Sequence, residues 1–275
     1  METNIIIKKG VFRKKINLED IIFDNMKYGI MDDSFRLIEN EKGKNIVVYN
    51  KKHIGRGFRI TLKRKKVIIT LFMPASKEEI KLLYDYVLNI CNLFNINTFK
   101  RNKSLESLDD ISECIKEDID ISTRALKEIE NYLSNEDVYF AFCALNIISL
   151  SKKDLKSFDG DVVKFGKYID SLEKKDVYYA RASVFNKEEK IVGLYSLTDN
   201  INTVLPYKPF IFNENIKIDN WYIGFTVNGK MSGMIKYDDF IKEIDTKKAY
   251  DSMHFITKLN SDKINKLLKL YEIKL

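Results

Sequence analysis

The stretch from Gly57 to Phe94 constrains the fold more than any other, because it reads as a β-hairpin that runs straight into an amphipathic helix. Phe58, Ile60 and Leu62 alternate with Arg59, Thr61 and Lys63, the period of two that a strand with one buried face requires. Arg64, Lys65 and Lys66 read as a charged turn. Val67, Ile68, Ile69, Thr70, Leu71 and Phe72 then form a β-branched strand, apolar on both faces, which predicts a place inside a sheet. Pro74 ends that strand because it cannot donate to a ladder, and Ser76 with Glu79 three residues on is a capping box that starts a helix at Lys77. Ile80, Leu83, Tyr84, Val87, Ile90, Cys91 and Phe94 recur at spacings of three and four, so one stripe of this helix must lie on the sheet. Each such side chain contributes roughly 1.5 to 3 kcal/mol when buried.

A 45% apolar content over 275 residues is enough for a sizeable core in one large domain or two ordinary ones. No run approaches the roughly 18 uncharged apolar residues of a membrane span, and the N-terminus, with Glu2, shows no signal-peptide pattern. A cytoplasmic protein is expected. Cys91, Cys114 and Cys143 are odd in number and far apart, which predicts buried free thiols. The abundance of Lys, Ile and Asn suggests a bacterial genome rich in A and T. The net charge of +7 is unevenly spread: residues 1–100 carry +9, residues 101–150 carry −6 and residues 151–275 carry +4. Between Glu41 and Glu78 there is no acid and there are eleven cations.

Along the chain, Asn4 to Lys8 reads as a strand with Val11 to Ile16 as its partner across Gly10, and Asn17 with Asp20 as the cap of a helix reaching about Met26. Phe35 to Glu39 and Ile46 to Tyr49 read as a second hairpin. After Thr98 to Arg101 two acidic helices are expected, one capped by Ser107 with Asp110 and one starting near Ser122. Val138 to Leu150 reads as a buried strand, followed by one long helix from the Ser151 and Asp154 cap to about Lys174. Asp176 to Phe185 pairs with Lys190 to Leu197, Thr203 to Leu205 follows, and Asn228-Gly229 joins Trp221 to Val227 with Lys230 to Ile235. A helix from Asp238 to Ile244, a strand from Tyr250 to Ile256 and a helix capped by Ser261 end the chain. The expected fold is α+β, with mainly antiparallel sheets and hairpins packed on amphipathic helices. Residues 1–101 form a β-rich sub-domain, 102–137 an acidic helical connection, and 138–275 a second α+β sub-domain.

Little in the sequence converges on chemistry. His53 and His254 each lack a second histidine or a cysteine at ligand spacing, so neither a metal nor a cofactor is expected. Gly55-Arg56-Gly57 lacks the third glycine and the following helix of a nucleotide loop, and reads as a bend before a strand. Adjacent carboxylates, such as Asp109-Asp110 and Asp238-Asp239, sit at expected helix starts, where they complement the dipole. His53, Arg56, Arg59, Lys63, Arg64, Lys65 and Lys66 are the candidate anion- or nucleic-acid-binding residues. The competing reading is a solvated face, or one paired with the acidic 105–137 segment. Tyr178, Tyr179, Arg181 and Trp221 are the candidate pocket lining.

Five motifs carry a resemblance: His53-Ile54-Gly55-Arg56-Gly57, Leu71-Phe72-Met73-Pro74-Ala75-Ser76 before Glu79-Ile80, Phe142-Cys143-Ala144-Leu145-Asn146, Asp176-Val177-Tyr178-Tyr179-Ala180, and Gly193-Leu194-Tyr195-Ser196-Leu197. In order and over nearly the whole chain, the sequence resembles a bacterial family known as domain of unknown function 4299. The family's pattern has a proline after the asparagine of the middle motif, where this chain has Ile147. The resemblance implies a cytoplasmic, single-chain bacterial protein and carries over no catalytic residue. The function expected first is that of a non-catalytic binding or protective protein acting through a protein partner, away from membranes. The alternatives are nucleic-acid or anion binding through the basic 51–66 hairpin, and a small enzyme of unidentified class.

Overall fold

A computed structural model describes residues 1–8, 16–187, 189–212 and 216–273. The chain divides into two units, Met1–Lys174 and Lys175–Leu275. Residues 138–174, which composition groups with the C-terminal part, make their contacts in the first unit. Both units are α+β, with mostly antiparallel sheets.

In the first unit β1 (Glu2–Lys8), β2 (Met26–Met31), β3 (Leu37–Glu39), β4 (Ile46–Asn50), β5 (Phe58–Lys63), β6 (Lys66–Phe72), β7 (Thr98–Arg101) and β8 (Ser104–Ser107) form one sheet. Its order is β3-β2-β4-β5-β6-β1-β7-β8, and every pairing is antiparallel. The expected central hairpin is β5 and β6, and β6 lies inside the sheet. Its turn is shorter than the charge run suggested, because Lys66 pairs with Lys63 and only Arg64 and Lys65 are left to turn. The capping box also forms: Ser76 Oγ accepts from the Glu79 N–H at 3.0 Å, and the Glu79 carboxylate accepts from the Ser76 N–H at 2.9 Å. The helix it starts, α1 (Lys77–Phe94), buries its whole predicted stripe against Ile5, Ile7, Val67, Ile69 and Leu71 of the sheet.

Several expectations are corrected. The helix expected from Asn17 to Met26 is a single 3-10 turn, Glu19–Ile21, because the chain enters β2 at Met26. The hairpin expected between Phe35–Glu39 and Ile46–Tyr49 does not form, since β2 lies between β3 and β4 and pairs with both. Gly29 permits this: a Cβ there would stand 2.4 Å from the Ile38 carbonyl oxygen. The strand expected over Val11 to Ile16 lies, apart from Ile16, outside the described residues. The two acidic helices are one, α2 (Ile111–Tyr132). Ser122 caps nothing; it is buried in mid-helix, where its hydroxyl donates to the Ala75 carbonyl at 2.6 Å and accepts from the Ala75 N–H at 2.8 Å. Val138 to Leu150 is a hairpin, β9 (Val138–Phe142) with β10 (Ile147–Ser151). The long helix after it is two, α3 (Lys152–Phe158) and α4 (Val162–Glu173), broken where Asp159 and Gly160 take positive φ.

The second unit holds two four-stranded sheets. Its elements are β11 (Tyr178–Tyr179), β12 (Ser183–Lys187), β13 (Lys190–Thr198), β14 (Thr203–Pro206), β15 (Asn220–Val227), β16 (Lys230–Lys236), α5 (Tyr237–Glu243), β17 (Lys248–Ala249), β18 (His254–Thr257) and α6 (Ser261–Tyr271). One sheet is β12-β13-β15-β16 and the other β11-β14-β18-β17, with parallel pairs only at β13/β15 and β11/β14 among the described strands. The expected Asp176–Phe185 strand is therefore two strands in two sheets. The expected Tyr250–Ile256 strand is a turn leading into β18. The last helix is capped by Asn260, whose side chain accepts from the Lys263 N–H, and not by Ser261. The three cysteines are free and buried, and no described helix is long and apolar enough to cross a membrane.

Candidate functional site

The candidate residues fall in three places. At the first, Gly55 and Gly57 both have positive φ (50° and 62°), so the loop before β5 bends as the glycines predict. The bend presses onto the start of α1. Glu79 lies beneath it and accepts from the Arg56 N–H, and a Cβ on Gly55 would meet the Glu79 carboxyl at 2.5 Å. Burial pushes the Glu79 carboxyl up, while the Ser76 and Arg56 N–H groups and the Arg56 charge pull the other way. Arg56 is occupied inside the fold: Nη1 donates to the Pro74 carbonyl at 2.9 Å and to Tyr139 Oη at 3.2 Å, and Nε to the Phe142 carbonyl at 3.4 Å. His53 is half exposed, with Nδ1 3.6 Å from Asp170, which also pairs with Lys174 at 2.6 Å. A cavity of about 140 Å³ beside them is lined by His53, Ser76, Glu78, Glu79, Lys167 and Asp170, a set with more carboxylates than cations. Arg59 caps the ring of Phe72, with its guanidinium carbon 4.8 Å from the centroid. His53 and Arg56 therefore stand apart from the lysines, while Arg59 lies on their sheet face two rows along the strand.

The second place is the far end of β5 and β6. Lys63 stands opposite Lys66, and Lys66 stands opposite Lys8 of β1, so three lysines lie side by side across three neighbouring strands. With strands about 4.8 Å apart, the row spans roughly 10 Å. Arg64 and Lys65 extend it at the turn, and all but the half-buried Lys66 are exposed. None of the five forms an ion pair with a described residue. Three carboxylates of α2 pair elsewhere: Glu117 and Asp118 hold Arg101 at 2.5 and 2.6 Å, and Glu113 pairs with Lys116 at 3.0 Å. Lys8 was missed by sequence reasoning, because its place in the row depends on a register between strands almost sixty positions apart.

The third place is in the second unit. The Asp251 carboxylate accepts from the Met253 and His254 N–H groups and lies 2.8 Å from His254 Nδ1. The Tyr179 hydroxyl lies 3.0 Å from the other ring nitrogen, Nε2. Arg181 lies over the Tyr179 ring at 5.2 Å, and Tyr250 packs edge-on to it at 6.0 Å. Trp221 stacks on Tyr195, whose hydroxyl donates to the Phe210 carbonyl at 2.8 Å, and Phe210 packs on His254. Tyr179, Arg181 and Trp221 thus belong to one aromatic cluster. Tyr178 is exposed beside it and pairs through its backbone with Asn202. The Asp-His-Tyr order has the outline of a nucleophile relay. Burial pushes the Tyr179 phenol well above its usual value, so the hydroxyl keeps its proton beside the imidazole. The cluster had no local signal in sequence, since Tyr179 and His254 meet only through β14, which pairs with both β11 and β18. Among the described residues, no group of histidine, cysteine and carboxylate side chains is placed to hold a metal.

Comparison with protein families gives a match over nearly the whole chain. Residues 3–267 fit the family described as a domain of unknown function, DUF4299. The chain belongs to this family. The five motifs that carried the resemblance fall at the loop before β5, the strand-to-α1 junction, the β9–β10 turn, β11 and β13, all of them turns and strands that place the fold. No curated protein and no solved structure matches the chain.

Proposed function

We propose that this DUF4299 chain is a non-catalytic binding protein of the bacterial cytoplasm, whose first unit holds a polyanionic partner on the strand ends of β5, β6 and β1. The observation that carries the reading is the row Lys63, Lys66, Lys8 with Arg64 and Lys65 at its turn. Like charges directly opposite on neighbouring strands are destabilising. A polyanion laid along the row removes that repulsion and releases its own counterions. The sequence put a protein partner first and this surface second; the alignment of Lys8 with the hairpin lysines reverses that order, because it turns a basic turn into a basic strip.

A labelled heparin fragment titrated across salt tests the reading by fluorescence anisotropy. Binding should weaken steeply as salt rises and should be lost when Lys63, Arg64, Lys65 and Lys66 are all changed to Glu. Salt-insensitive binding, or equal binding by that variant, would remove the proposal.

A further inference from the structure

We infer that the polyanion is a single-stranded nucleic acid, lying across the strands with its phosphates on the lysine row and its bases on the adjoining strip of the sheet. The inference rests on the binding reading above and adds the class of partner. Its basis is the layout of the sheet face opposite α1. One row in from the lysines, about 7 Å along the strands, the same face carries Thr61, Ile68, Ile6, Lys100 and Leu105 in register across five strands. Thr61, Ile68 and Ile6 are half-buried, and Leu105 is 68% exposed. The row beyond it is Arg59, Thr70 and Asn4, where Thr70 Oγ1 donates to Asn4 Oδ1 at 2.7 Å. An apolar strip therefore runs between a cationic row and a polar row, with Lys100 adding a charge near its end.

Charge complementarity fixes an anionic occupant, and the strip narrows the class. A duplex keeps its bases stacked inside and would reach the lysines through phosphates alone, leaving Ile6, Ile68 and Leu105 in water. A sulfated sugar chain has no flat apolar faces to lay on them, and an acidic peptide has them only where it carries aromatic side chains, whereas every nucleotide brings one. A single strand with unstacked bases has both parts at a matching separation, since base faces sit on apolar or aromatic side chains while the backbone follows cations. The face is flat and no helix projects from it, so it has nothing to enter a major groove.

The test uses labelled oligo(dT), the same strand annealed to oligo(dA), and the heparin fragment, each titrated against the full chain. Variants are Ile68→Thr, which keeps a β-branched side chain at a half-buried strand position, and the four-fold Glu variant of the hairpin; a urea melt of each checks folding. Oligo(dT) should bind about tenfold tighter than the duplex, and Ile68→Thr should weaken oligo(dT) by about fivefold while leaving heparin unchanged. The slope of log affinity against log salt should be about −3 for a strand that contacts about four cations. Equal affinity for strand and duplex, with Ile68→Thr neutral, overturns this inference and leaves the polyanion reading standing. Failure of all three probes to bind overturns both.

Discussion

Two groups of cations in the first unit cannot be told apart from the sequence alone. Arg101 is 8% exposed and held at both terminal nitrogens: Nη2 donates to Asp118 at 2.6 Å and Nη1 to Glu117 at 2.5 Å. Asp118, itself buried, also accepts from Thr3 at 3.0 Å and Tyr84 at 2.7 Å, so four residues tie β1, α1, β7 and α2 together. Arg56 is likewise held by three acceptors. Lys8, Lys63, Arg64, Lys65 and Lys66, on the same sheet, have no carboxylate among the described residues. A buried cation whose partners converge on it is part of the scaffold, whereas several exposed cations aligned without partners are available to a ligand. The difference lies in pairing, and the count of charges along the chain does not reveal it.

Substitutions should break the comparison in opposite directions. The largest effect is expected at the buried group: Asp118→Ala leaves Arg101 without its buried partner and should cost about 3 to 5 kcal/mol of stability in urea denaturation. A cost below about 1 kcal/mol would mean that the pair is solvated. Next comes the free group. Changing Lys63, Arg64, Lys65 and Lys66 to Glu should lower polyanion affinity about a hundredfold at low salt while the urea midpoint stays close to that of the natural chain. A collapse of the fold would show that the hairpin charges serve structure after all.

A smaller effect sharpens the packing side of the contrast. Gly166 lets α4 close on the start of α1, where a Cβ would stand 2.3 Å from Ser76 Cβ; Gly166→Ala should destabilise by about 1 to 3 kcal/mol through overpacking. Smallest is Lys66→Thr, which removes the middle charge of the row from a strand position that favours a β-branched residue. It should raise stability by a few tenths of a kcal/mol while weakening polyanion binding, and a loss of stability would count against repulsion in the row.

What the sequence made legible were the local features. The alternation in β5, the Ser76 and Glu79 capping box and the Asn228-Gly229 turn each depend on residues within a few positions of one another, and each forms as expected. What it concealed depended on distant partners. β2 was hidden because its short sequence, Met26–Met31, contains a glycine that weakens any strand reading, yet that glycine is what lets β3 approach. Ser122 imitated a helix start because a serine hydroxyl can serve a distant carbonyl as readily as its own helix. The same holds for the candidate site. Lys63 to Lys66 stood out as a charge run, but Lys8, Ile6 and Lys100 join them only through the pairing of β1 with β6 and β7. Asp251, Tyr250 and Phe210 gathered around Tyr179 and His254 in the same way, through sheet order and not through spacing.

Amine acylation read by mass spectrometry tests most directly whether the lysine row, unpaired among the described residues, is the surface that meets the ligand. The protein is modified briefly, with and without saturating oligo(dT), and the rate is compared lysine by lysine. Protection should concentrate at Lys8, Lys63, Lys65 and Lys66, with a smaller effect at Lys100. Lys27, Lys116 and Lys174, which sit in ion pairs away from the row, should react at unchanged rates. Protection centred on Lys175 and Lys248 beside the aromatic cluster, or protection spread evenly over the chain, would contradict it.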